Sequence, residues 1–223
     1  MGFYRPGSAA DARRRARQGT AMVEFAIIAP FLVTLFFGTI GLGMIMGRYV
    51  QTLTVARDVA HLYVSGVDFT QTTSQNIALQ LAQGTGMTAT GGNGVIILSR
   101  VATIYQADCD AAGVSGTCNN LGQCVITQRI VLGNAALQSS AFGTPTATLM
   151  DAAGNISPSV YLQNTDSSVR TTGFSTLLTS AGMTSLIPQG NSIWVTEVYF
   201  TYPDISYLGN WVSGGGAYAR FLY

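Results

Sequence analysis

The feature that most constrains this chain is a run of 23 residues without a charge, Phe25 to Gly47, FAIIAPFLVTLFFGTIGLGMIMG. About 20 apolar residues suffice to cross a bilayer as a helix. Arg5, Arg13, Arg14, Arg15 and Arg17 precede the run, opposed only by Asp11, whereas Arg48 and the Arg57–Asp58 pair follow it. The positive-inside rule therefore puts the N-terminus in the cytoplasm and the bulk of the chain outside. A cleaved secretory signal has an apolar region of about 7–15 residues ending in a small-x-small site. Here the run is longer and passes into a second helical pattern, with apolar residues at Val50, Leu53, Ala56, Val59 or Ala60, and Tyr63. The spacing predicts a helix continuing to about Val64, roughly 65–70 Å at 1.5 Å per residue. Its second half is expected to be an amphipathic stalk with one face packed on a globular domain.

Composition removes most chemistry. Only 9% of residues are charged, against about 25% in a typical soluble domain. From Arg48 onward six Arg face eight acids, so the exported surface is built from Gly, Ser, Thr, Asn and Gln. The chain has no Lys, which excludes a phosphate-binding loop of the G-x-x-x-x-G-K type and a Schiff-base lysine. His61 is the one histidine, which excludes multi-histidine zinc sites; it reads as a surface or packing residue. Beyond the first 20 positions the Arg residues form no basic stripe, which argues against nucleic-acid binding. No catalytic residue, cofactor, metal or small-molecule substrate is expected, and the chain does not read as an enzyme.

Glu24 stands at the start of the apolar run, five residues after Gly19. An acid at a membrane boundary is costly to bury and marks a functional position, or else lies among headgroups as a helix N-terminal acid. Its surroundings decide between the two. Arg13-Arg-Arg-Ala-Arg-Gln-Gly19, then Thr20-Ala-Met-Val-Glu24-Phe25 and the long apolar helix, resemble the processing site of a class III-type prepilin. The stretch from Gln18 to about Ala60 resembles the TadE-like family of the tight-adherence (Tad) pilus system. The residues that carry the likeness are Gly19-Thr-Ala-Met-Val-Glu-Phe-Ala26, Pro30, Phe37-Gly38, Gly43 and Val55-Ala-Arg-Asp-Val-Ala60. Many relatives have a second acid before a Leu-Gly pair; here Gly41 precedes Leu42-Gly43. A softer likeness lies in Val195–Pro203 and the last strand Gly216–Tyr223.

The resemblance implies a minor pilin or pseudopilin. A prepilin peptidase would cut after Gly19 on the cytoplasmic face of the bacterial inner membrane, leaving Thr20 as the new N-terminus. The expected partners are that peptidase, other pilin subunits and the lipid bilayer, with Glu24 and Phe25 as assembly residues. The leader's five Arg and one Asp make a net +4, so its removal takes the chain from +1 to about −3. An uncleaved, membrane-anchored adhesion domain is the competing reading. A related TadG-like class needs a metal-binding D-x-S-x-S, which Asp204-Ile-Ser-Tyr does not supply.

Within the anchor, Thr39, Gly43 and Gly47 recur every four residues as a small-residue ridge of the kind that lets helices approach in lipid. Pro30 is expected to loosen the helix locally. Residues 1–19 read as a leader, 20–65 as membrane helix and stalk, and 66–223 as an exported α+β domain. In it, a helix is expected at about Thr73–Ala82, strands at Val95–Tyr105, Cys124–Leu132, Ile193–Tyr202 and Ala217–Tyr223, and a helix at about Gly173–Ala181. Residues 134–191 read as an irregular insertion. In Ile193–Tyr202, Trp194, Val198, Phe200 and Tyr202 share the apolar face and Glu197 and Thr201 the other. Cys109, Cys118 and Cys124 allow three pairings with one thiol left over. Outside the cytoplasm a disulfide is the leading reading, and Cys109–Cys118, closing a Gly-rich loop, is the favoured pair.

Overall fold

A computed structural model describes residues 9–163, 166–184, 186–203 and 216–223, with backbone alone described before Met22. Helix α1 runs Ala9–Val64, and α2 follows at Thr72–Leu81. Then come β1 (Met87–Thr88), β2 (Gly91–Gly92), β3 (Gly94–Thr103), α3 (Gln106–Ala111) and β4 (Cys124–Gly133). After them lie α4 (Pro158–Gln163), α5 (Phe174–Ser180), β5 (Ile193–Thr201) and β6 (Gly216–Leu222). The architecture is α+β. The chain divides into two compact units at Met46/Gly47. The leader's residues 1–8 and the Asp204-Ile-Ser-Tyr stretch lie outside the described residues.

In the second unit the main sheet has the order β4-β3-β5-β6 with every pair antiparallel. Alternation assigns its two faces. Ile96, Leu98, Ile130, Leu132, Val198 and Phe200 share one face by register. The C-terminal part of α1 packs here, burying Thr52, Val55, Ala56, Val59, Ala60 and Tyr63. Ala56, Val59, Ala60 and Tyr63 lie on the expected face, which departs at its start: Val50 is 59% exposed and Thr52 is fully buried. The reason is a hydroxyl cluster. Thr52 Oγ1 and Tyr202 Oη share a hydrogen bond of 2.8 Å, and Tyr202 Oη also reaches the Arg48 carbonyl at 3.2 Å. A polar residue thus turns inward because its partner is present, since a buried hydroxyl is tolerated when paired. Tyr63 closes the lower end, donating to Gln128 Oε1 at 3.0 Å and meeting Trp194 edge-on at 4.6 Å. Gly94 is required where β3 crosses Phe200, because a Cβ there would overlap the phenyl ring.

The other face is covered by residues 134–192. Phe142, Ile156, Val169, Phe174, Leu178 and Ile187 bury against Val101, Ile126, Ile193 and Val195. The segment read as irregular, with one helix expected at about Gly173–Ala181, carries that helix as α5 and adds α4, two 3-10 turns and a share of the core. It also closes the outer edge of β4: the Arg129 amide donates to Gly154 O at 2.7 Å, Ile156 to Thr127 O and Thr171 to Cys124 O, each at 2.9 Å. Covering a strand edge in this way removes a template for unwanted pairing. Because β5 is covered on both faces, Glu197 is buried (1% exposed) rather than on a solvated side. Its carboxylate accepts from Ser140 Oγ, from the Ala141 amide at 2.9 Å and from Tyr218 Oη at 2.6 Å.

Candidate assembly site on the apolar helix

In the first unit, the helical backbone begins at Ala9 and so includes Gly19 and Thr20; their side chains lie outside the described residues. Glu24 and Phe25 are exposed, as are Ile27, Phe31, Leu35, Phe36 and Leu42. Among the described residues α1 supplies the one helix, Met22–Val64, long and apolar enough to cross a membrane, with a mean hydropathy of 2.2 over its most apolar stretch. A helix apolar all round needs lipid or other helices against it. Its few polar groups are satisfied internally. Thr34 Oγ1 donates to the Pro30 carbonyl and Thr39 Oγ1 to that of Phe36, both at 2.8 Å. Such back-bonds are what a hydroxyl needs in hydrocarbon. Pro30 lies inside the helix, which continues through it.

Thr39 and Gly43 are exposed and, at spacing four, lie on one helix face. A Cβ built at Gly43 meets nothing within 4 Å. Gly47, the next position of the ridge and the first residue of the second unit, is likewise exposed with nothing within 4 Å. Thr20 and Glu24, four apart, also share a helix face.

In the second unit the end of the apolar run is held by Arg48. Its Nη1 donates to Gln51 Oε1 at 3.0 Å, and its guanidinium lies 5.1 Å from the Tyr202 ring centroid. Nothing in the spacing around Arg48 pointed to Tyr202, 154 residues away. The cysteines all lie in the second unit. Cys109 and Cys118 are bonded, with Cα atoms 5.9 Å apart, and Cys124 is a buried free thiol 3.4 Å from Thr103 Oγ1. His61 is exposed, with Nδ1 3.3 Å from Ser65 Oγ. Among the described residues no three His, Cys, Asp or Glu side chains gather as for a metal.

Two charged positions went unmarked by the residue pattern. Arg129 is 4% exposed, donates Nη2 to Gly143 O at 2.7 Å and leaves Nε without a partner among the described residues. Burial lowers its pKa to about 10, with the Glu197 charge acting in the other direction. Burial raises the Tyr218 phenol, and its hydrogen bond to Glu197 raises it further. The second is Arg100, opposite Trp194 in the β3–β5 register, with its guanidinium 5.5 Å from the Trp194 ring centroid.

Comparison with known proteins adds one positive finding: residues 19–61 match the family model of TadE-like proteins. That span takes in Gly19, Glu24, the apolar run and most of the buried stalk face. No curated protein and no solved structure matches the chain.

Proposed function

We propose, with the TadE-like segment at residues 19–61 as premise, that the chain is a minor pilin-type subunit (a pseudopilin) of a Tad-type pilus. In this reading α1 holds the precursor in the bacterial inner membrane with its N-terminus cytoplasmic, and the domain beyond Arg48 is exported. A prepilin peptidase cuts after Gly19, and the mature helix then packs among other subunits. The observation that carries the reading is the coincidence in one helix of Gly19, Glu24 and an exposed apolar surface.

The chemistry follows from the helix. A peptidase acts on an unwound backbone, while the Gly19–Thr20 bond lies within helical structure. Glycine costs a helix about 1 kcal/mol relative to alanine, so Gly19 is a natural point of local opening. Cleavage removes the leader's net +4 and frees an amine on Thr20. That amine lies one turn from Glu24 and can pair with it, or with Glu24 of a neighbouring subunit, where little water competes. The Thr39-Gly43-Gly47 ridge offers a surface for close helix approach.

The test is the mass of the N-terminal peptide in membrane-extracted protein. A start at Thr20 is expected, with Gly19→Ser leaving the leader in place; an intact Met1 in the unmutated protein would sink the reading in favour of an uncleaved adhesion domain. Glu24→Gln should be cut normally yet fail to enter filaments. Normal incorporation of that variant would remove the assembly role and leave cleavage standing.

A further inference from the structure

The second unit holds a polar cleft that the pilin reading does not use. Its volume is about 420 Å³, within the roughly 300–1,000 Å³ of small-ligand sites. The floor is Arg100, Ala102 and Thr127 of the sheet; α3 contributes Asp108, α4 contributes Tyr161, and Asn191 and Ser192 form the lip before β5. A second cleft of about 650 Å³ adjoins it, and the two share Arg100, Pro158 and Tyr161. The combined groove therefore runs past one cation, two rings and two carboxylates, Asp108 and Asp151, the latter already accepting from the Ala153 and Asn155 amides and the Asn155 side chain.

The position of Arg100 is built by an irregularity in the sheet. Arg100 pairs with Gln128 and Val101 with Ile126, so Thr127 is an extra residue on β4. Such bulges re-aim side chains. Thr127 Oγ1 accepts from Arg100 Nε and donates to the Arg100 carbonyl, both at 3.1 Å, and the guanidinium sits over Trp194. Nε and one face are thereby used, while Nη1 and Nη2 have no acceptor among the described residues. Two parallel N–H donors on a fixed plane match the two oxygens of a carboxylate. Asp108 lines the same cleft and already holds the Tyr105 amide at 2.8 Å through Oδ2. Its charge disfavours a phosphate dianion but accepts from hydroxyl donors. Burial raises the Tyr161 phenol, with Arg100 lowering it and Asp108 raising it, which places all three within electrostatic reach.

We propose that this groove binds an acidic glycan, a uronate carboxylate on the Arg100 Nη pair with sugar hydroxyls toward Asp108, Asn191 and Ser192. The rings of Tyr161 and Pro158 supply the apolar surface on which a pyranose lies, and the adjoining cleft takes a second sugar unit. The site is independent of how α1 is used.

The test is calorimetric titration of the full chain in detergent with digalacturonate, against galactobiose and N-acetyl-trialanine. Digalacturonate should bind at least about tenfold more tightly than either, the carboxylate being the charge-assisted partner. Arg100→Gln should lose that preference. Because Arg100 also braces Thr127 and Trp194, two milder variants keep the test open. Arg100→Lys preserves the charge without the planar pair and should lose about fivefold or more. Asn191→Asp, at an exposed lip, should lower affinity about tenfold by like-charge repulsion with the thermal midpoint unchanged. Three results would overturn the proposal: no heat with digalacturonate up to about 10 mM, equal binding of galactobiose, or tighter binding of N-acetyl-trialanine, which would make the ligand a peptide terminus.

Discussion

Replacing Glu197 by alanine should be the most damaging single change in the second unit. The carboxylate is 1% exposed and accepts three hydrogen bonds, from Ser140, Ala141 and Tyr218. Removing it strands the Ala141 amide and two hydroxyls. Each buried group left unsatisfied costs about 1–3 kcal/mol. Arg129, 4% exposed with Nε unpaired, also loses the negative charge that offsets its burial. These contributions overlap, so the expected loss is about 4–6 kcal/mol, comparable to the whole stability of a small domain. Glu197→Gln, which keeps an acceptor for the Ala141 amide, should cost about half as much. The assay is denaturant unfolding of the full chain in detergent, followed by tryptophan fluorescence. In a double-mutant cycle with Arg129→Met, the combined loss should fall short of the sum by about 1–3 kcal/mol. A loss under about 1 kcal/mol for Glu197→Ala would refute the reasoning, because a solvated carboxylate costs that little to remove.

Alkaline pH should weaken the domain. Tyr63 and Tyr218 have phenols raised above the ordinary value by burial, so the folded state holds protons that the unfolded chain releases above about pH 10, and stability falls as pH rises from there. Arg129 acts oppositely, since burial lowers its value to about 10, so that above that pH the unfolded chain holds the proton more tightly than the folded one. Two phenols outweigh one guanidinium, and Tyr63→Phe should flatten the decline measured by thermal unfolding between pH 9 and 11. Gly94→Ala should cost about 2–3 kcal/mol by forcing Phe200 off its rotamer, against a few tenths at Gly116, where a Cβ meets nothing; equal thermal shifts at the two sites would contradict this.

Much of the architecture was legible because its signals are local. The 23-residue uncharged run and the Arg excess ahead of it declare an anchor, and β3, β4, β5 and β6 lie within about two residues of the expected strands. The rest depends on distant partners. Thr52 turns inward only because Tyr202 meets it, so apolar spacing alone chose Val50 instead. The contributions of Phe142, Ile156, Val169 and Ile187 to the core are single residues between polar turns, with no period to read. Helices α3 and α4 have six residues each, too short for a recurring face. Alternation places Glu197 opposite the apolar face, and an alternating strand usually has one wet side; the covering segment removes it. The Gly19–Glu24 spacing could be read directly, whereas Arg100 becomes a candidate only once the bulge at Thr127 places it.

The hydroxyl cluster of Thr52 and Tyr202 also sets an order of events during biogenesis. Its members are 150 positions apart, and Trp194, which receives Tyr63, is synthesised almost as late. The C-terminal part of α1 is synthesised early, yet Val198, Phe200 and Tyr202, a share of the surface that covers it, are made nearly last. A chain halted before β5 therefore leaves Thr52 without Tyr202 and Tyr63 without Trp194, with only the β3 and β4 share of the helix cover in place, a sticky flag by which unfinished copies differ from finished ones.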